Sequence, residues 1–381
     1  MGLAIILFII LVCITFVNYL VNDRVYISPS VVFSGVFAFS TFWLILYAEK
    51  WNLNLGLNTF SVIVVGNIIF SFVCKIINSF YKKSKKSEEI IEEKLMYEIK
   101  IDALKLNAFL TFSVLMLFLT LYFTIRAVNG SFSNIGSALY TYRNLTAYKG
   151  ESVNMPFIVE MLGGVLHASS YWFMYVLINN YMVNKKINIK ILLIILLSAL
   201  SSTLDGSRGA IINSILANIP LFYLIKNKDN NYKSHLKLKN IMVITILAIL
   251  LLSSLKWTAT LLGRNDINDI DTTDYIAMYV GAEIKNLDTY LNGKTFIETK
   301  IGIHTFRTIY EIFSKVANKN WEMDVIPIYR TINGYNLGNV YTIFFDFICD
   351  LGYLGILLFT SIMAIVSQIL FEKSKTIKPS K

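Results

Sequence analysis

Runs of about twenty apolar residues recur from one end of this 381-residue chain to the other. A bilayer core of about 30 Å is crossed by about 20 apolar residues of helix. Lipid offers no partner to a backbone N–H or C=O, so spans of this kind must be helices. The runs fall near 2–21, 28–48, 57–80, 106–127, 156–183, 187–204, 209–225, 240–257 and 351–371. Runs six and seven are short and share the turn Asp205-Gly206-Ser207-Arg208-Gly209, which reads as a helical hairpin. The composition agrees: 55% of residues are hydrophobic and only 16% charged, against roughly 25% in soluble domains. A soluble globule of this balance would expose large apolar patches. That argues against a soluble enzyme, a disordered chain or a nucleic-acid-binding domain. The expected fold is all-α: a polytopic bundle of about 9–11 transmembrane helices with one long extracytoplasmic loop. The bundle is expected over 1–257 and the loop over 258–337. The segment 338–381 would hold a re-entrant or membrane helix, the last span and a basic tail. No cleavable leader is expected. Cys13, Cys74 and Cys349 all lie in apolar runs, without metal-ligand spacing.

Lysines set the orientation. They crowd loops 82–105, 184–190 and 226–239 and the tail, and nine spans put all four segments on one side, the cytoplasm. Segments 128–155 and 258–337 then face outward. The seven arginines are sorted differently. Only Arg24 falls inside, while Arg126, Arg143, Arg208, Arg264, Arg307 and Arg330 fall at or beyond the outer face. A guanidinium fork suits phosphate or carboxylate. These arginines therefore either pair with outer acids such as Asp266, Asp274 and Glu311, or hold an anionic headgroup such as a lipid pyrophosphate. Arg208 stands where the seventh span begins, so helix N–H groups would add to a phosphate cradle. The plainer alternative is an Asp205–Arg208 pair closing the turn.

The long outer loop holds the candidates for chemistry on a sugar. Residues 301–316 read as an amphipathic helix, with Phe306, Ile309, Phe313 and Val316 on one stripe and His304, Arg307, Glu311 and Lys315 on another face. His304 is a candidate proton acceptor for a hydroxyl, or a solvated surface residue. Segment 275–290, with Glu283, Asp288 and several tyrosines, is either a sugar-binding wall or a lid helix at the membrane surface. Asn339, Thr342, Asp346 and Asp350 are three or four apart, as on one face of a helix lining a site; interhelical hydrogen bonding is the other reading. Glu160 and His167 share a face of the fifth span, and either could join a network with Arg208 or Asp346.

Four motifs in order carry a family resemblance: Ser28-Pro29-Ser30; Asp205-Gly206-Ser207-Arg208-Gly209-Ala210-Ile211; Asn286-Leu287-Asp288 followed by Gly302-Ile303-His304-Thr305-Phe306; and Gly338-Asn339-Val340-Tyr341-Thr342 with Asp350-Leu351-Gly352-Tyr353-Leu354-Gly355. With them the chain resembles the O-antigen polymerase (oligosaccharide repeat-unit polymerase) family. The paired arginine-x10-glycine motifs of some members are absent. The resemblance implies a glycosyltransferase of GT-C-like fold in the bacterial cytoplasmic (inner) membrane, with its site facing the periplasm or cell exterior. Such an enzyme transfers a growing O-antigen or capsular glycan to a fresh lipid-linked unit and releases undecaprenyl pyrophosphate. The implied partners are an undecaprenyl-pyrophosphate-linked donor and acceptor, the lipid bilayer and a chain-length regulator protein; nucleic acid is not among them. No metal or other cofactor is expected: Asp269-Ile270-Asp271 has paired-carboxylate spacing without further ligands near it.

On this reading Glu283, His304 and Glu160 are candidate bases. Arg208, Arg264, Arg330, Arg143 and Arg307 are candidates for the pyrophosphate. Asp288, Tyr341, Asn339 and Asp346 are candidates for the sugar. An O-antigen ligase, or a flippase or transporter of lipid-linked sugars, are the alternative functions.

Overall fold

The computed structural model describes residues 1–87, 97–148, 155–204, 209–227, 256, 270–293, 301–317 and 329–375. The protein is mostly helical, and among the described residues six helices are long and apolar enough to cross a membrane. They are Gly2–Val21 (α1), Pro29–Leu46 (α2), Leu57–Ser87 (α3), Ala103–Ala127 (α4), Phe157–Asn184 (α6) and Ile343–Ser374 (α12). Two shorter apolar helices, Ile189–Thr203 (α7) and Gly209–Lys226 (α8), match runs six and seven. The eighth run, 240–257, lies outside the described residues apart from Lys256. The chain divides into two compact units.

The first unit comprises residues 1–91 and 271–377. Ser28, in extended conformation, precedes Pro29 at the start of α2, where a missing N–H costs no hydrogen bond. A polar seam joins α1, α2 and α3. Asn18 Nδ2 donates to Ser30 O at 3.1 Å and to Ser71 Oγ at 2.8 Å, Asn22 Nδ2 to Ser30 Oγ at 3.0 Å, and Asn78 Nδ2 to Asn22 Oδ1 at 3.3 Å. Small serines let the helices approach, and the amides join them where water is scarce. Ser28-Pro29-Ser30 thus has a local cause: a helix start followed by an interhelical acceptor.

The core of this unit gathers Leu7, Leu44, Trp51, Ile63 and Phe344. The Phe344 ring lies on Gly66, where a Cβ would come within 2.3 Å of it, and stacks against Phe37 at 5.2 Å. Two short helices, Thr272–Val280 (α9) and Ala282–Leu291 (α10), pack on α2, and α10 also on α3. Arg307–Ala317 forms α11. Strands Arg330–Ile332 (β1) and Tyr335–Gly338 (β2) pair antiparallel, an exception to the all-α expectation. Asn333 and Gly334, both at positive φ, make the two-residue turn that such hairpins favour.

α12 is broken. Leu351 (φ −140°, ψ 16°) and Gly352 (φ 59°, ψ −148°) leave helical geometry. The break folds 343–350 back on the helix that follows. Phe347 and Phe359 ring centroids are 5.4 Å apart, whereas twelve residues of unbroken helix would separate them by about 18 Å. Gly352 occupies a backbone region that essentially only glycine reaches. A Cβ on Gly355 would sit 2.0 Å from the Phe347 carbonyl oxygen. Both glycines of Asp350-Leu351-Gly352-Tyr353-Leu354-Gly355 are therefore required by the fold-back.

The second unit comprises residues 92–270 and 378–381. α4, α6 and α7 pack through Leu106, Phe173, Val176, Ile191 and Ile194. Asp102 caps α4 by accepting Leu104 N at 2.8 Å, and Asn188 caps α7. Asn180 grips the segment that enters α4, accepting Ile99 N at 2.8 Å and donating to Ile99 O at 2.9 Å. Ile135–Arg143 forms α5.

Replacing Gly355 or Gly352 by alanine is expected to lower the melting temperature of the purified protein sharply. Gly164, where an added Cβ would meet no atom within 4 Å, tolerates the same change. Equal melting curves for all three variants would remove the fold-back.

Candidate functional site

In the first unit, α9 and α10 are fastened to the ends of α2 and α3 by polar groups. Asp288 Oδ1 accepts Gly56 N at 2.8 Å, Thr59 Oγ1 at 2.8 Å and Asn292 Nδ2 at 3.0 Å. The carboxylate thereby satisfies one free N–H and a hydroxyl at the start of α3 and meets the positive end of its dipole. Asn286 Nδ2 donates to Leu337 O at 3.2 Å and Val340 O at 2.7 Å, holding β2 and its exit. Asp274 accepts Tyr47 OH at 2.8 Å and Lys50 Nζ at 2.7 Å. Burial alone would raise the Asp274 pKa; the Lys50 and Tyr47 hydrogen bonds and the Lys50 charge outweigh it and hold it below the usual carboxylate value. Asn286 and Asp288 thus brace the segment from inside.

The opposite side of this platform carries the cluster of interest. Asp350, buried at the end of the 343–350 stub, accepts His304 N at 3.0 Å on one oxygen and Thr305 N at 2.7 Å on the other. This bidentate grip sets the 301–306 turn on α12. It places His304 Nδ1 3.6 Å from Asp346 Oδ1, one helical turn before Asp350. The His304 side chain is 4% exposed and that of Asp346 42%, so the carboxylate is the open member of the pair. Phe345 stands edge-on to the imidazole at 5.9 Å and beneath Tyr341 at 4.2 Å. Tyr341 OH accepts Arg330 Nε at 3.0 Å. His304 and Tyr341 therefore flank one phenylalanine, with Asp346 paired to the first and Arg330 bonded to the second.

Buried His304 Nε2, Thr305 Oγ1, Thr342 Oγ1 and Asn286 Oδ1 have no hydrogen-bond partner among the described residues. Buried polar groups are normally satisfied, so each of these atoms is open to a polar partner. Among the described residues Arg330 has Tyr341 as its one hydrogen-bond partner, and no carboxylate within ion-pair distance. Most of its five donors are uncommitted.

The remaining candidates are found as follows. Glu283 is in the first turn of α10 and turns toward α2. Burial pushes its carboxyl up to about 8, with the Ser40 hydroxyl offsetting part of the rise. Asn339 precedes the helix, which starts at Ile343, so it is off the face that Asp346 and Asp350 share. The strand ends at Gly338, and non-helical backbone from Asn339 to Thr342 stands where the spacing suggested a turn of helix. Arg307 is engaged by Glu311 at 2.7 Å. Arg143 and Glu160 belong to the second unit, Arg143 half-buried at the end of α5 with its Nε unpartnered among the described residues, Glu160 exposed in the first turn of α6. His167 pairs with Ser202 Oγ at 3.2 Å and Tyr171 OH at 3.3 Å. Arg208 and Arg264 lie outside the described residues. Asp350, not among the candidates for base, pyrophosphate or sugar, proves central; its helical spacing from Asp346 and the glycines two and five residues after it are its only signals in the sequence.

The Glu283 pKa has a stability consequence. Its folded-state value of about 8 lies above the ordinary 4.5. The contribution is fully present below about pH 4.5 and is lost as pH rises through about 8. Glu283→Gln is therefore expected to match the wild type in melting temperature at pH 4.5 and to exceed it increasingly toward pH 8, by at most about 1.4 kcal/mol per pH unit. A gap that does not change with pH would contradict the burial of this carboxyl.

Comparison with protein-family models, with curated proteins and with solved structures finds no match to this chain.

Proposed function

We propose that this chain is a membrane glycosyltransferase that polymerises undecaprenyl-pyrophosphate-linked oligosaccharide repeat units, in the manner of the O-antigen polymerases it resembles, on a GT-C-like helical bundle. The observation that carries the reading is the His304–Asp346 pair, to which Arg330, without an ion-pair partner among the described residues, is linked through Tyr341 and Phe345. An arginine without a carboxylate partner among the described residues, together with an imidazole and an open carboxylate, is a donor set for an anionic leaving group and a hydroxyl together. The lysine-rich loops 82–105, 184–190 and 226–239 support an extracytoplasmic position for the cluster.

In this mechanism a sugar hydroxyl of the fresh lipid-linked unit attacks the anomeric carbon of the growing chain. The bond from that carbon to the pyrophosphate oxygen breaks, and undecaprenyl pyrophosphate leaves with the bonding pair. Arg330 stabilises the charge that develops on the leaving oxygen. His304 takes the hydroxyl proton on Nε2, because its Nδ1 faces Asp346. Asp346 then stabilises the imidazolium. Glu283 stays protonated until about pH 8, and Glu160 sits in the other unit. Asp346 and Tyr341 supply an acceptor and a stacking face for the sugar.

The test is extension of a synthetic undecaprenyl-pyrophosphate oligosaccharide by purified protein in detergent. Wild type is expected to give a ladder of products. Arg330→Ala is expected to lose about 10²–10³-fold in rate, in the range of a lost oxyanion donor, and Arg330→Lys to recover part of it. His304→Gln is expected to abolish extension at neutral pH. Undiminished ladders from folded Arg330→Ala and His304→Gln proteins would overturn the assignment. Transport of intact lipid-linked units without chain growth would instead identify a flippase.

A further inference from the structure

Helix α11 begins directly after the turn that Asp350 holds, and its apolar face is uncovered. At about 100° per residue, Phe306, Ile309, Ile312, Phe313 and Val316 fall within an arc of about 120°. Arg307, Glu311 and Ser314 fall on the opposite side, where Arg307 Nε donates to Glu311 at 2.7 Å. A helix of this pattern in a soluble domain buries its stripe against its own core. Here those five side chains are between 40% and 67% exposed.

Two observations identify what covers it. The first is continuity. The Phe306 ring meets Phe359 of α12 edge-on at 5.6 Å. On α12 the neighbouring Leu354, Leu357, Leu358 and Ile362 are as exposed as the stripe itself, as expected of the surface a membrane-crossing helix turns to lipid. The apolar side of α11 therefore starts where the acyl-facing surface of α12 is. The second is charge. From residue 298 to 322 the sequence carries Lys300, Arg307, Lys315 and Lys319 against Glu298, Glu311 and Glu322, a small basic excess, with Trp321 among them. Basic residues opposite an apolar stripe, with a tryptophan nearby, suit the headgroup region of an anionic bilayer.

We propose that α11 is an interfacial helix that lies in the surface of an anionic membrane, with its stripe in the acyl boundary. The bilayer, and no further protein chain, is its partner. Because α11 is continuous with the 301–306 turn, membrane contact reaches the His304–Asp346 pair through that turn. The inference stands on the exposure and continuity of this face and holds whatever reaction the cluster performs.

The full-length protein in phosphatidylglycerol nanodiscs tests it. Cys13, the exposed cysteine, is first replaced by serine; Cys74 and Cys349 are buried and do not compete for label. Nitroxides are then attached at Phe313→Cys and Val316→Cys on the stripe and at Thr308→Cys on the polar side. Collision with dissolved oxygen is expected to exceed collision with a water-soluble nickel chelate about tenfold at 313 and 316, and the order to reverse at 308. Chelate collision dominating at all three sites would place the helix in water and overturn the proposal. Exclusion of both reagents from 313 and 316 would mean that protein covers the stripe, and would overturn it equally. Deeper burial of the 313 label in phosphatidylglycerol than in phosphatidylcholine discs supports the charge argument; equal depth overturns it.

Discussion

The bidentate grip of Asp350 on the backbone of His304 and Thr305 is the interaction on which the candidate site rests. A buried carboxylate costs several kcal/mol to desolvate. Hydrogen bonds to a charged group each return about 1.5–3 kcal/mol. One such bond would leave the carboxylate destabilising; two, at 3.0 and 2.7 Å on separate oxygens, bring the two effects close to balance. The grip therefore works only as a pair, and the pair needs both N–H groups of one turn aimed at one end of the stub. The fold-back at Leu351 and Gly352 supplies that geometry. Through it the imidazole comes to Asp346, and α11 departs from the surface of α12.

The same device recurs across the first unit. Asp288 grips Gly56 and Thr59, Asn286 grips the carbonyls of Leu337 and Val340, and Asp274 grips Tyr47 and Lys50. The segment is thus fixed to membrane-crossing helices by side chains that hold backbone groups and, at Asp274, two side chains. The helices supply rigid ends, the polar residues supply register, and the site forms where the segment meets the broken helix. This division explains why the uncommitted groups are few. Among the described residues, several polar side chains of the segment are occupied in holding it, while Arg330, Asp346 and the far nitrogen of His304 keep capacity for a ligand.

Much of this architecture was legible in the sequence, and the remainder was not for definite reasons. Apolar runs near twenty residues read directly as helices, because length and hydropathy alone decide the matter. Arg307 and Glu311 sit at the spacing of a helical ion pair and form one. Asp288 reads as a sugar ligand and is found capping α3: residue type reveals an acceptor, not whether the donor is a ligand or the chain's own backbone. The regular spacing from Asn339 to Asp350 suggests one helix face, but a strand ends at Gly338 and the helix starts five residues later. Glu160 and His167 share their helix, yet His167 is engaged by Ser202 and Tyr171. The role of Asp350 is hidden because its partners are backbone amides forty-five and forty-six positions away, a relation that leaves no pattern in side chains.

Amide hydrogen exchange at His304 and Thr305, in the purified protein and in its Asp350→Asn variant, tests the central grip most directly. Both amides are expected to exchange far more slowly than those of the neighbouring turn in the wild type, and to lose that protection in the variant while the amides of α3 keep theirs. Rapid exchange of both amides in the wild type, or unchanged protection in Asp350→Asn, would contradict it.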